Sequence, residues 1–150
     1  MKTLLTFVFA GIFSTSALPI LAQDLVDDPL VVTMTAVDLD DLKWEKRPVV
    51  VFADSPNDPA FSEQLSLLLS REDALRERDV LVITDTDPDL ASDLRIKLRP
   101  RGFMLAILGK DGQVKLRKPF PWDVREITRS IDKMPIRKRE IRERKESQRQ

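Results

Sequence analysis

One apolar run near the middle of the chain, residues 48–53, constrains the fold more than any other feature. Every position in it is apolar, which is typical of a strand covered by helices on both faces, because a strand with one solvated face alternates. Apolar residues then recur at separations of three, four and seven, which predicts one long amphipathic helix. The predicted stripe consists of Phe61, Leu65, Leu68, Leu69 and Leu75. Asp58 is expected to cap the start of this helix, with Pro59 at its first position.

Two further apolar runs, residues 79–84 and 103–108, predict additional buried strands. Between them, Leu90, Leu94 and Leu98 predict one face of a short helix that ends before Pro100. The preceding residues Asp85, Asp87 and Asp89 alternate as in the opening of a calcium-binding loop. However, Leu90 stands where that loop needs glycine and Ile96 where it needs glutamate. These aspartates are therefore predicted to form a turn before a helix, and no metal site is expected.

The last part of the domain is predicted to be a hairpin followed by a helix. Residues 109–112 read Gly-Lys-Asp-Gly, and the alternation of residues 113–117 predicts an antiparallel edge strand. Trp122, Ile127 and Ile131 predict a final packed helix that stops near Pro135. The fold class is therefore α/β over residues 39–134, in the order β-α-β-α-β-β-α, with a central mixed sheet of about four strands flanked by helices.

The N-terminal residues 1–22 have the pattern of a secretory signal peptide. A positive start precedes the apolar run 4–13, and Pro19 is followed by small and apolar residues up to Ala22, where cleavage is predicted. This indicates a periplasmic or secreted protein. The alternative is an uncleaved anchor, since residues 4–22 approach the ~20 residues needed to span a bilayer. Residues 23–38 are predicted to be an acidic linker or to contain a short strand, because residues 30–37 are rich in β-branched side chains.

Composition excludes several kinds of chemistry. The chain contains no cysteine and no histidine, which excludes disulfides, thiol redox chemistry, the usual zinc sites and serine–histidine triads. No cofactor is expected. Charge is unevenly distributed, because residues 24–89 hold 17 acidic and 6 basic side chains whereas residues 93–150 hold 8 acidic and 18 basic ones. The two halves can neutralise each other within one fold, support head-to-tail self-association, or present a basic face to an anionic partner.

Residues 135–150 are predicted to form a charged helical tail. Ile136 and Ile141 are its only strongly apolar side chains, so we expect a solvated, fraying helix held partly by pairs such as Glu140 with Arg144. The expected partner of the protein is an envelope or extracellular protein or an anionic polymer, and not nucleic acid. The basic tail offers a peripheral contact with a membrane.

The order of elements resembles the thioredoxin-like fold. Redox-active members carry a Cys-x-x-Cys pair at the start of the first core helix, where this chain reads Ser-Pro-Asn-Asp at residues 55–58, and a cis-proline before the third strand, where it reads Arg-Gly-Phe at residues 101–103. More specifically, residues 44–53, Gln64, residues 77–79, and residues 109–112 with Lys115 resemble the family called domain of unknown function 4174. The resemblance implies an exported thioredoxin-like domain without an established activity, related to modules of animal extracellular-matrix proteins with sushi repeats.

The favoured functional hypothesis is a non-catalytic binding or structural module. Trp44 is predicted to be a packing anchor. Near it, Arg47, Arg78 and Lys115 are predicted to pair with the acids Glu45, Glu77 and Asp79. The alternative is an envelope-maintenance enzyme that uses Asp54, Asp58 or Arg47 in a cleft near the helix start. The predicted candidate binding surface consists of Trp44, Arg47, Asp54, Ser55, Asp58, Gln64, Arg78, Lys110 and Lys115.

Overall fold

The computed structural model describes residues 28–149, so the predicted signal peptide lies outside the described residues. Five strands are present: β1 (Val31–Thr33), β2 (Arg47–Phe52), β3 (Val80–Asp85), β4 (Met104–Leu108) and β5 (Val114–Lys118). The helices are α1 (Pro59–Leu69), α2 (Glu72–Arg76), α3 (Asp93–Leu98), α4 (Val124–Asp132) and α5 (Pro135–Ser147), with single 3₁₀ turns at Met34–Ala36 and Pro88–Leu90.

The strands form one mixed sheet in the order β1-β3-β2-β4-β5. β1 and β2 each pair in parallel with β3, whereas β4 is antiparallel to β2 and β5 is antiparallel to β4. Val49 of the central strand therefore has Val82 on one side and Ile107 on the other. The mixed sheet and its closing antiparallel pair were predicted; the strand count is five rather than about four, because residues 31–33 join as a parallel edge strand.

Helices cover both faces of the sheet, as the uninterrupted apolar strand predicted. Val49 and Val51 of β2 point into a core formed with α1, α2 and α4. Val50 and Phe52 point to the other face, which is covered by α3 and by partly buried side chains of residues 32–42. All four side chains are fully buried, which explains why β2 shows no polar alternation.

The prediction of one long helix is wrong in one respect, because the helix is broken after Leu69. The Ser70 hydroxyl bonds to the Leu67 carbonyl, the Ser70 N–H bonds to the Ser66 carbonyl, and the Arg71 backbone leaves the helical region before α2 begins. Leu69 is 48% exposed, while Leu75 is fully buried from α2. The apolar spacing was correct for Phe61 and Leu68, but Leu69, in the last turn of α1, lies about 80° around the helix axis from Phe61, at the edge of the stripe.

Two other apolar positions differ from the prediction. Leu90 lies in a 3₁₀ turn and is exposed, because α3 begins only at Asp93, where the Ser92 hydroxyl accepts a hydrogen bond from the Arg95 N–H. Leu94 and Leu98 are buried as predicted. Trp122 precedes α4, whose buried face consists of Val124, Ile127 and Ile131.

The predicted hairpin is confirmed between β4 and β5. The Gly109 N–H bonds to the Gln113 carbonyl at 2.9 Å, and Gly112 has a φ of 74°. The positive φ favours glycine there, whereas a Cβ would meet only the flexible end of the Lys43 side chain, at 2.9 Å. The turn therefore sits tightly against the segment that precedes β2.

Candidate functional site

The residues of the predicted binding surface separate into two groups at opposite ends of the sheet. Arg47 is the first residue of β2, and Asp54 lies two residues after its end. At about 3.3 Å per extended residue, these two positions are roughly 20 Å apart. Ser55 and Asp58 lie with Asp54, whereas Arg78, Lys110, Lys115 and Trp44 lie at the Arg47 end. The structure therefore does not assemble Arg47 with Asp54 and Asp58.

At the α1 end, the loop is a capped turn. The Asp58 carboxylate accepts hydrogen bonds from the N–H groups of Ala60 (2.8 Å) and Phe61 (3.3 Å), so the predicted N-cap is confirmed. The Ser55 hydroxyl accepts a hydrogen bond from the Asn57 N–H at 3.1 Å. The donors at the helix start that could attract an anion are thus partly used, and a carboxylate already stands among them.

Behind this loop lies a buried ion pair between Asp85 and Arg95. The guanidinium donates two hydrogen bonds to one Asp85 carboxylate oxygen, at 3.0 and 2.9 Å, and bonds the carbonyls of Ala53 and Asp85 at 2.8 Å. The Ser92 hydroxyl donates to the second carboxylate oxygen at 2.7 Å. The remaining Arg95 nitrogen lies 3.5 Å from Asp54. Asp85, predicted in a solvated turn, is instead the last residue of β3, and this pair joins the ends of β2, β3 and α3.

Gln64 is fully buried on the inner side of α1. Its amide nitrogen donates to the Trp122 carbonyl at 3.0 Å, and its amide oxygen accepts from the Trp122 N–H at 2.7 Å. Both ends of the amide are therefore used to hold the segment before α4 against α1. Gln64 is not part of an exposed surface.

At the other end of the sheet, Arg47, Asp79, Lys110 and Glu140 form what we call the Arg47 cluster. Arg47 is 1% exposed and donates hydrogen bonds of 2.8 Å to the Arg78 carbonyl and to the Glu140 carboxylate. Lys110 lies 2.8 Å from the Asp79 carboxylate and 3.1 Å from that of Glu140. Two cations thus share two carboxylates that come from the turn before β3 and from α5.

A second group of ion pairs continues from this cluster. Arg78 makes a bidentate contact with Asp132 at 3.0 and 2.8 Å. Arg137, at 2% exposure, lies 3.4 Å from Asp132, 3.5 Å from Glu140 and 3.6 Å from Glu77. The two groups together tie β2, the α2–β3 turn, α4 and α5 into one network.

The pKa values of two network carboxylates reflect this environment. Partial burial raises the pKa of Glu140, but the hydrogen bonds and charges of Arg47 and Lys110 outweigh it, so the net pKa is below its ordinary value. Asp132 shows the same balance between burial and the hydrogen bonds of Arg78 and Arg137. The hydrogen bond to Asp132, more than its charge, raises the pKa of Arg78. These groups therefore remain charged as pairs at neutral pH.

The predicted pairing of the basic residues is confirmed, although several partners differ. Arg78 pairs with Glu77 and Asp132, and Lys115 pairs with Asp111 at 2.7 Å rather than with the acids near Trp44. Burial raises the pKa of Asp111, but the hydrogen bond from Lys115 and other donors lower it further than burial raises it. Arg47 lies 3.7 Å from Asp79 and uses Glu140 as its closest carboxylate.

Trp44 is not the packing anchor that the sequence predicted. Its side chain is 65% exposed and its backbone has a left-handed φ of 70°. The backbone N–H of Trp44 donates a hydrogen bond to the Lys110 carbonyl at 2.7 Å. Two grooves, of about 240 and 140 Å³, flank the turn that holds this carbonyl, and both are lined by Gly109, Lys110 and Asp111. The larger has Leu39, Leu42, Leu94 and Leu108 among its lining residues, and the smaller has Arg47, Met134 and Ile136.

The predicted solvated tail is also corrected. The helix itself is confirmed as α5, but its first half packs on the domain, and Glu140 pairs with Arg47 and Lys110 instead of with Arg144. The physical reason is that a buried arginine without a carboxylate partner is strongly destabilising. An exposed pair along a helix contributes only about 0.3–0.5 kcal/mol, so the carboxylate of Glu140 bonds to the buried arginine. Arg137 and Glu140 share this inner face with Ile136 and Ile141, which are also partly buried, so the apolar pair was a sequence signal for it.

The described part of the chain offers little for metal chemistry or membrane crossing. Within residues 28–149, no group of three or more carboxylates is placed to hold a metal ion, and no helix is long and apolar enough to span a bilayer. Every buried side-chain nitrogen or oxygen in this range has a hydrogen-bond partner. The polar groups inside the domain are thus occupied by internal contacts.

Comparison with known proteins agrees with the sequence and the geometry. The model of the family described as Domain of unknown function (DUF4174) matches residues 38–140. Two solved Plasmodium yoelii structures are similar in fold: Prx1a modified at its N-terminus, and thioredoxin peroxidase I. Each has a TM-score of 0.51 and 16% sequence identity over 64% of this chain, covering 77% and 76% of the respective chains. The likeness supports the predicted thioredoxin-like fold and, at this identity, the fold alone.

Proposed function

Because the chain belongs to the family of domain of unknown function 4174 and has a thioredoxin-like fold, we propose that it is an exported, non-catalytic binding or structural module of the periplasm or cell exterior. One observation supports the proposal that the module is non-catalytic. At the end of the sheet where redox-active relatives of this fold place a thiolate, the chain has a capped turn without cysteine, and the arginine behind it is bonded to Asp85. Neither a thiol nor an unpaired cation is offered there.

The test of this part is an activity measurement on the purified chain. Reduction of a protein disulfide and consumption of hydrogen peroxide are followed with a dithiol reductant, beside a thioredoxin and a thiol peroxidase as the respective positive controls. We expect both rates to equal that of buffer. A rate above buffer that copurifies with the chain and disappears in Asp54→Ala or Asp58→Ala would contradict the proposal.

The binding surface that we favour lies at the other end of the sheet. There, the exposed Trp44 is bonded to the hairpin turn between two grooves, and exposed aromatic residues are often the strongest contacts of an interface. Envelope extracts are captured on the wild type and on two matched variants. Trp44→Ala is expected to reduce retention of a specific partner, whereas Phe120→Ala, at another exposed aromatic residue, is expected to retain it. Equal loss or equal retention in both variants contradicts the choice of surface.

Export is tested separately. Residues 1–22 are fused to a reporter enzyme that is active only outside the cytoplasm, and a matched fusion lacks the apolar run 4–13. Activity in the first fusion and not in the second is expected. Sequencing of the exported full chain should begin at Gln23, and a chain that begins at Met1 would support the anchor alternative instead.

The enzymatic alternative has less support from the geometry. It places Asp54, Asp58 or Arg47 in a cleft near the start of α1, and Arg47 lies at the opposite end of β2 from the two aspartates. Arg47 is buried and Asp58 caps α1, so both already have structural roles. Complementation of a deletion strain by Asp54→Ala at wild-type level would remove the remaining candidate carboxylate.

A further inference from the structure

Helix α5 carries a row of cations on the side that faces away from the domain. Lys138, Arg142, Lys145 and Arg149 follow one another at separations of four, three and four residues. At 3.6 residues per turn this spacing places the first three within an arc of about 60° on the helix, and Arg149 continues the row in the turn after it. We call these residues the basic stripe.

The stripe lies opposite the side by which α5 is docked. Arg137 and Glu140 hold the helix against the domain, and their mean direction is roughly 140° from that of the stripe around the helix axis. All residues of the stripe are exposed. The ion pairs that α5 makes with the rest of the described chain involve Arg137 and Glu140 only, so the stripe is not used to hold the fold together.

The surroundings of the stripe strengthen its positive charge. From residue 138 to residue 149, the exposed side chains include six basic and two acidic ones, because Glu140 is turned inward. At the opposite end of the sheet, the exposed carboxylates of Asp54, Asp87 and Asp89 lie beyond the ends of β2 and β3. An anionic surface would therefore attract the outer side of α5, although exposed carboxylates such as Asp41, Glu45 and Glu77 also lie at the Arg47 end of the sheet.

We propose that the basic stripe binds the surface of a bilayer that contains anionic lipids, which deepens the proposed function by naming a partner and rests on the export in that proposal. The row is about 16 Å long, and its cations are spaced for simultaneous contact with a flat charged surface. It presents no aromatic side chain on which nucleic-acid bases could stack. It presents no apolar side chain for insertion either, so binding is electrostatic and peripheral. Most of the stripe lies beyond residues 38–140, so it is a feature of this chain outside the family match.

The test is sedimentation of the full chain with vesicles of phosphatidylcholine alone or mixed with phosphatidylglycerol. The readout is the ratio of the two partition coefficients, because the apolar run 4–13 contributes to binding of both vesicle types. The stripe variant neutralises Lys138, Arg142, Lys145 and Arg149 to glutamine. The control variant neutralises Arg71, Lys97, Arg101 and Arg125, which are also exposed, so both variants change the net charge equally.

Each cation near an anionic bilayer changes partitioning roughly fivefold, so the stripe variant is expected to lower the ratio by roughly 100-fold or more, and the control by less than about tenfold. Raising salt from about 0.1 to about 1 M, which shortens the Debye length from about 10 to about 3 Å, should remove the preference of the wild type for anionic vesicles.

Equal losses in both variants, or a wild-type ratio in the stripe variant, would overturn the proposal. So would stripe-dependent retention on heparin or duplex DNA without any preference for anionic vesicles. A negative result of this kind with unchanged export and no redox turnover would leave the proposed module function standing.

Discussion

The substitution Glu140→Gln tests whether α5 is part of the domain or an appended tail. Glu140 supplies one of the two carboxylates that compensate Arg47 and Lys110, with contacts of 2.8 and 3.1 Å. Glutamine keeps the size and one hydrogen-bond acceptor but removes the charge. After the substitution, a fully buried arginine and a largely buried lysine share only Asp79.

The expected cost follows from the burial of the groups left behind. Removing one partner of a fully buried ion pair costs about 3–5 kcal/mol, because the other charge stays desolvated. Arg47 is 1% exposed, but Glu140 itself is 22% exposed, and water can reach part of the site. Asp79 also remains. We therefore expect a loss of about 2–3 kcal/mol in the free energy of unfolding, below the fully buried range.

The assay is urea unfolding followed by circular dichroism, which gives the midpoint and the m-value. Glu143→Gln is the matched control, because Glu143 lies on the same helix, is exposed, and makes no ion pair with the described residues. A surface change of this kind alters stability by less than about 0.5 kcal/mol. The m-values of both variants should equal that of the wild type, since the same surface unfolds.

Equal midpoints for the two variants would refute the reasoning. Such a result would mean that α5 behaves as the solvated helix that its composition suggests. A double variant, Arg47→Met with Glu140→Leu, adds a further check, since replacing both charges by apolar groups is expected to restore much of the loss.

Three further outcomes are expected from the structure. Because the pKa of Glu140 is lowered by folding from its ordinary value of 4.5, its stabilisation is complete above that value and is lost as the pH falls through the folded pKa, so the urea midpoints of wild type and Glu140→Gln should converge as the pH is lowered. Asp58→Ala should cost about 1 kcal/mol through loss of the helix cap, whereas Asp54→Ala, at an exposed carboxylate, should cost less than about half of that in the same assay. Leu75→Ala should cost about 2–5 kcal/mol and Leu69→Ala less than about 0.5 kcal/mol in thermal or urea unfolding, which checks that Leu75 and not Leu69 belongs to the core.

Much of the fold was predictable because it depends on local apolar patterns. The continuous runs at residues 48–53, 79–84 and 103–108 correspond closely to β2, β3 and β4. Asp58 with Pro59 marked the start of α1, and the Gly-Lys-Asp-Gly turn marked the hairpin. Each of these signals acts within a few residues along the chain.

The errors concern features that the spacing of apolar residues does not reveal. The break after Leu69 depends on backbone bonds of Ser70, and a spacing of apolar residues continues across it without a visible sign. Trp44 is exposed because its backbone follows the hairpin turn rather than the core. Large side chains are usually buried, so composition predicts the opposite.

The candidate site was the least predictable part. The sequence identified Arg47 and Lys110 individually but gave no reason to place them beside Glu140, which is far away along the chain. Likewise, Asp85 was grouped with the turn that follows it, although its partner Arg95 makes it part of the interior. Ion pairs of this kind depend on which segments the fold brings together.

The bond between Arg47 and Glu140 joins positions 93 residues apart. During synthesis the arginine emerges long before its carboxylate, so a nascent domain holds the central strand with one charge uncompensated until residue 140 of α5 has appeared. Chains cut short before residue 140 are then less stable than finished ones. Proteases that degrade unfolded chains should remove them first, so survival of the domain depends on synthesis as far as a single carboxylate in α5.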